Sequence, residues 1–121
     1  MNSLTKAERN YLRAILLLSD GKRGARITDI ASHLRVTKGS VCVAVAKLAK
    51  NGFVVRDTKR LILLTQDGER EANRILDSFS VINLFLKSKL KIDPHIAMED
   101  ANALVHAMSE KTVNALRSLL N

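Results

Sequence analysis

The chain has 121 residues, 46% of them hydrophobic and 3% aromatic, with a formal net charge of +8. That length suits one compact unit, or one small domain with a dimerisation element, and one proline and five glycines leave little for disordered linkers. Apolar runs such as Ala14 to Leu18 are too short to span a bilayer, the start of the chain lacks a signal-peptide pattern, and a lone cysteine, Cys42, excludes an internal disulfide; a cytoplasmic protein without membrane contact is expected.

Thr5 and Glu8 have capping-box spacing, and Ala7, Tyr11, Ala14, Ile15 and Leu18 recur at three and four residues, predicting a first helix from about Lys6 to Ser19. Asp20-Gly21-Lys22-Arg23-Gly24 reads as a basic loop, and Arg26-Ile27 as a short edge strand. Lys22, Arg23 and Arg26 suit either phosphates or plain solvation. Thr28 is expected to cap a second helix that buries Ile30, Ala31 and Leu34. After a turn at Arg35-Val36, Thr37 caps a third helix with Val41, Ala44, Val45 and Leu48 inward and Asn51-Gly52 as its stop.

Two apolar runs, Phe53–Arg56 and Leu61–Leu64, flank Asp57-Thr58-Lys59-Arg60 and predict a hairpin with Lys59 and Arg60 at its tip. A long helix follows from Thr65 to about Lys89, with Ala72, Ile75, Leu76, Phe79, Ile82, Phe85 and Leu86 apolar. At about 36 Å it outreaches a winged unit. Two shorter helices, about Pro94–His106 and Ser109–Leu120, complete a mainly α chain. The expected architecture is a winged helix-turn-helix with a small two-stranded wing over residues 1–64, then a connecting helix and helical dimerisation domain over 65–121. Phe79, Ile82, Phe85, Leu86, Leu116 and Leu120 are the expected homodimer face.

Charge is divided sharply between these halves. Residues 1–64 carry 13 Lys and Arg against 4 Asp and Glu, whereas residues 65–121 carry 7 against 8. A surface for a polyanion has this distribution, because duplex affinity comes largely from neutralised phosphates and released counterions. In a helix-turn-helix the start of the second helix meets base edges while the first crosses the backbone. The candidate DNA-binding residues are therefore Thr28, Thr37, Lys38, Gly39, Ser40, Cys42, Val43, Lys47, Lys59 and Arg60. Lys38 suits a guanine edge or a phosphate, and Gly39 permits close backbone approach. Val43 offers only apolar contact, such as with a thymine methyl. Thr37 and Ser40 serve equally as plain caps. Cys42 reads either as an oxidation-sensitive thiol or, with no resolving cysteine, as a small residue tolerated at an interface.

The runs A-E-R-N-Y-L-R-A-I, I-T-D-I-A-S-H-L-R-V-T-K-G-S-V, L-T-Q-D-G and E-D-A-N-A-L-V-H-A-M-S resemble the diphtheria toxin repressor and manganese transport regulator family over nearly the whole chain. The resemblance implies a two-fold dimer that places two recognition helices in successive major grooves. It also implies an iron or manganese ion between the first helix and the dimerisation domain. The positions matching the family's ligands hold Asn10, Arg13, Phe79, Asn83, Asn102, Val105 and His106. Only His106 is a family ligand, and a tight first-row site needs three or more His, Cys or carboxylate donors. The expectation is thus a DNA-binding transcriptional regulator, in the repressor mould, that uses neither metal nor other cofactor. Alternatives are a rearranged metal site from His95, Glu99, Asp100 and His106, and a winged-helix module that docks a protein. No converging acid–base pair, phosphate-cradling loop or activated nucleophile suggests an enzyme.

Overall fold

Helix α1, Lys6–Leu18, begins as the Thr5/Glu8 spacing requires: Thr5 Oγ1 accepts from Glu8 N at 3.1 Å, and Glu8 Oε1 accepts from Thr5 N at 2.8 Å. A computed structural model describes residues 4–21 and 23–120; Lys22 of the basic loop lies outside the described residues. After α1 come α2 Ile27–Leu34, α3 Lys38–Lys50, β1 Val54–Arg56, β2 Ile62–Leu64, α4 Gln66–Ser88, α5 Pro94–Leu104 and α6 Glu110–Ser118. The strands are antiparallel, pairing Val54 with Leu64 and Arg56 with Ile62. No helix among the described residues is long and apolar enough to cross a membrane.

Two expectations near α2 are corrected. Thr28 does not cap the helix: Arg26, extended at φ −91° and ψ 145°, holds the N-cap position without a side-chain bond, and Thr28 lies exposed in the first turn. Nor do Arg26-Ile27 form an edge strand. The bridge to the hairpin sits at Ala25, which exchanges both backbone hydrogen bonds with Ile62 at 2.9 and 2.8 Å. Ala25 is buried and Arg26 is exposed, so burial of the small apolar residue fixes which one pairs.

The chain divides into two compact units, with the boundary after Asn73. The start of α4 belongs to the first unit because Ala72 lies in its core with Leu12, Ile15, Ile30, Val41, Leu48, Val54 and Ile62. Each of these larger side chains contributes about 1.5–3 kcal/mol by leaving water. The entry to α4 is tightly specified. Thr65 N donates to Phe53 O at 3.0 Å, and Thr65 Oγ1 donates to Gly52 O at 2.6 Å while accepting from Gly68 N at 3.1 Å. Gly52, at φ +85°, turns the chain after α3. A Cβ on Gly68 would fall 1.9 Å from Phe53 O, so the first turn of α4 approaches the hairpin backbone as only glycine permits.

The second unit packs Ile75, Val81 and Ile82 of α4 against Ala101 and Val105 around α5 and Val113 of α6. Asp93 caps α5, accepting from His95 N and Ile96 N, with Pro94 at the position where a missing N–H costs nothing. Ser109 caps α6 through Thr112 N. Arg117 donates two hydrogen bonds to Asp77, at 2.5 and 3.3 Å, joining α6 to α4. Those bonds hold the Asp77 carboxyl below the usual carboxylate range, although partial burial pushes the other way.

Two outcomes are expected. Alanine normally favours a helix over glycine by about 1 kcal/mol, but Gly68→Ala should cost about 3 kcal/mol or more in chemical denaturation, because the clash is with backbone; a stabilised variant would contradict the close approach. A carboxyl depressed in the folded state stabilises above its ordinary pKa of about 4 and ceases to do so as pH falls through the folded value. Asp77→Asn should therefore lower Tm by roughly a degree or two at pH 7, screened as an exposed pair is, and the gap should close as pH falls below about 4.

Candidate nucleic-acid interface

The turn from α2 to α3 is three residues, Arg35 to Thr37. Arg35 takes the left-handed conformation at φ 58°, and Val36 N donates back to Ala31 O at 3.0 Å. Thr37 then caps α3: its hydroxyl accepts from Ser40 N at 3.1 Å and donates to Ser40 Oγ at 2.9 Å. Val41, Val45 and Leu48 are buried, which turns Lys38, Gly39, Ser40, Cys42, Val43 and Lys47 to solvent as their spacing requires.

Between the start of α2, the outward face of α3 and the hairpin runs a groove of about 670 Å³. Its walls bring together Thr28, Lys38, Cys42, Lys59 and Arg60 from the sequence-derived candidates, and add Arg26, Ile27 and Arg56. Five of these are cations and none is acidic. None of the five forms an ion pair among the described residues. Arg56 was not legible: alternation would place it on the face of buried Val54, two residues before it, yet it is exposed, and its convergence with Lys38 depends on how the hairpin packs.

The wing is held by one carboxylate. Asp57 Oδ1 accepts from Lys59 N at 2.9 Å and Leu61 N at 2.8 Å, and Asp57 Oδ2 accepts from Arg23 Nε at 2.9 Å. Arg60 completes the turn in the left-handed region at φ 63°. Burial alone would raise the Asp57 carboxyl, but the Arg23 bond and the two backbone N–H groups outweigh it and hold it below the usual range. Arg23 is thereby tied to the wing, and Lys59 and Arg60 project from a turn fixed at its base.

On the other side of α3 lies a second groove of about 630 Å³, with Thr37, Gly39, Ser40, Val43 and Lys47 facing Ala7, Glu8 and Tyr11 of α1. Glu8 is buried, and its Oε2 accepts no hydrogen bond but stands 3.7 Å from Lys47 Nζ. The backbone N–H of Thr5 is the main cause of a lowered Glu8 carboxyl; burial opposes it, and Lys47 adds to it. Of the candidate DNA-binding residues, Lys47 is thus the one with an intramolecular counter-charge.

In the second unit, Ile82 is enclosed in that unit's own core, whereas Phe79, Leu86, Leu116 and Leu120 pack half-buried at its margin and Phe85 is half-buried. Leu90, Ile96, Met98 and Leu119 are each at least half exposed. Among the described residues no three His, Cys, Asp or Glu side chains converge as metal donors. Val105 is buried among apolar side chains and Phe79 packs beside them. Asn83 contributes a buried amide oxygen with no hydrogen-bond partner, a neutral donor by itself. His95 meets Glu99 at 2.9 Å as an exposed pair.

Residues 3–61 match the family model described as iron dependent repressor, N-terminal DNA binding domain, and residues 65–121 match iron dependent repressor, metal binding and dimerisation domain. An uncharacterised HTH-type transcriptional regulator of Methanocaldococcus jannaschii is 30% identical over 115 residues, covering 94% of this chain and 92% of that protein. The HTH-type transcriptional regulator MntR of Lysinibacillus sphaericus is 28% identical over 116 residues, covering 96% of this chain and 83% of its own length. The solved structure of IdeR from T. acidophilum superposes with a TM-score of 0.79 at 27% identity, over 99% of this chain and 55% of that one.

The wing's dependence on Asp57 can be checked by amide hydrogen exchange. In Asp57→Ala the Lys59 and Leu61 amides should exchange roughly tenfold faster or more, while Asp57→Asn, which keeps an oxygen acceptor, should retain part of the protection. Unchanged exchange in the alanine variant would mean the turn is held by something else.

Proposed function

The chain belongs to the iron dependent repressor family of DNA-binding transcriptional regulators, and on that premise we propose that it acts as a cytosolic homodimer that grips duplex DNA without a divalent ion. The observation that carries the reading is the basic groove. Arg26, Lys38, Arg56, Lys59 and Arg60 line one surface with no carboxylate among them. Like charges so gathered repel one another in the free protein, and a phosphate backbone relieves that repulsion while releasing its own counterions. Thr28 and Cys42 line the same groove, and Thr37, Gly39, Ser40 and Val43 stand on the exposed face of α3 beside it. The start of α3 enters the major groove, and the wing follows the backbone.

Metal independence is supported by donor chemistry. The position on α1 that would carry a ligand is Asn10, and one turn on stands Arg13, whose half-burial disfavours its charge without removing it. In the second unit, Phe79 and Val105 supply hydrocarbon where ligands would stand, and Asn83 and Asn102 supply neutral amides. With His106 alone as a strong donor, the set lacks the charge and softness that a first-row ion requires. The homodimer reading is supported by the half-exposed apolar side chains of the second unit and by the dimerisation domain to which residues 65–121 correspond. Repression is the output in keeping with the family.

Titration of a duplex followed by fluorescence anisotropy, across salt and with or without chelator, tests this reading. Log K should fall linearly with log salt, and Lys59→Ala and Arg60→Ala, each removing one cation from both protomers, should each reduce the slope by about 1.8. Chelator should leave the curve unchanged. Binding that appears only on addition of manganese or iron(II) would contradict metal independence; absence of binding to any duplex at low salt would contradict the function.

A further inference from the structure

Few groups on the outward face of α3 can read a base edge by hydrogen bonding. No Asn, Gln, Arg, Asp or Glu occurs between Lys38 and Lys50. The Thr37 hydroxyl gives its one proton to Ser40 Oγ and accepts from Ser40 N, so it serves the helix start. Lys47 is drawn toward Glu8, whose residue is only 7% exposed. Lys38 lies on the side of α3 that faces the basic groove, among cations suited to phosphate.

Val43 differs from all of these. At 73% exposed it is the most exposed large hydrophobic among the described residues, and it stands one turn into the helix that presents itself to DNA. The surface continues from it into the second groove, where Ala7, Tyr11 and Ala44 add apolar wall. Both Val43 methyls stand in water in the free protein, which wastes apolar area unless a partner covers it. The major groove offers one apolar group at a base edge, the 5-methyl of thymine.

We propose that Val43 is a specificity-determining residue that reads thymine methyl groups, so that each bound half-site carries a thymine opposite it. This inference rests on duplex DNA being the partner of the first unit. The polar side chains of the helix then hold α3 in register while an apolar contact selects the base. Because Val43 is outside the core and uncharged, its removal leaves the fold and the phosphate contacts intact.

The test starts from a duplex selected out of a random library by the full-length protein. Each thymidine is then replaced singly by deoxyuridine, which removes only the methyl. One thymidine per half-site should show a loss of about three- to fivefold in affinity, the worth of one buried methyl-sized group. Val43→Ala, which alters both protomers of the dimer, should weaken the unmodified operator by about the product of the two half-site losses, roughly tenfold or more, and erase the thymidine–deoxyuridine difference. Its Tm and its salt slope should match the wild type, since neither the core nor the phosphate contacts change. The inference is overturned if no thymidine shows a difference, or if the difference persists in Val43→Ala. A chain that binds no duplex overturns the functional reading as well, whereas salt-dependent binding indifferent to the methyl overturns this inference alone.

Discussion

Positive charge crowded onto one groove, with no carboxylate on its walls, is the constraint around which the first unit is arranged. Arg26, Lys38, Arg56, Lys59 and Arg60 come from three different elements, and each would lower its energy by moving away from the others. They stay because the elements beneath them are fixed by apolar packing. Ile30, Val41, Val54 and Ile62 are buried in the same core, and none of these four exceeds 1% exposure. The hydrophobic core thus holds a charge pattern that electrostatics alone would disperse, and a polyanion is the partner that turns this cost into affinity.

Acidic groups in this unit occupy positions that shape the surface without neutralising it. Asp57 sits at the base of the wing, where two backbone N–H groups and Arg23 engage it, and it fixes the direction in which Lys59 and Arg60 project. Glu8 lies under the far side of α3, where it accepts from Thr5 N and pairs with Lys47. These two carboxylates are matched to cations outside the groove, whose own walls carry no acidic side chain. The second unit is built by different means. Its charged pairs, Arg74 with Glu110 and Arg117 with Asp77, are exposed and contribute little, and its cohesion comes from the hydrocarbon of Ile75, Val81, Ile82, Val105 and Val113.

Much of this was legible in the chain, for local reasons. Capping hydroxyls at Thr5, Thr37 and Ser109 announced three helix starts, since the signal needs only the residue and its neighbours three positions on. Thr28 misled because a threonine inside a first turn looks, in sequence, like one that caps it; extended Arg26 and buried Ala25 settled the matter through pairing with Ile62. The roles of Gly68 and Asp57 were not legible, nor was the second role of Glu8, which its capping-box position does not announce. Gly68 is required by the Phe53 carbonyl, Asp57 reaches Arg23, and Glu8 meets Lys47, and each partner is remote in sequence. The same holds for Arg56, whose membership of the groove depends on how the hairpin packs.

The family's ion and this chain's side chains point in different directions. In the second unit Phe79 and Val105 pack among apolar side chains, and in the first Arg13 brings a cation, at positions where the resemblance implies metal ligands. On the reading proposed above, the regulator's DNA-binding surface stands ready in the absence of any ion, with affinity set by salt. The most direct measurement is a map of backbone amide chemical shifts as a duplex is added in the presence of chelator. The expected result is a set of shifts centred on Thr28, Lys38, Cys42, Val43, Arg56, Lys59 and Arg60. Shifts confined to other surfaces, or appearing only once manganese or iron(II) replaces the chelator, would contradict it.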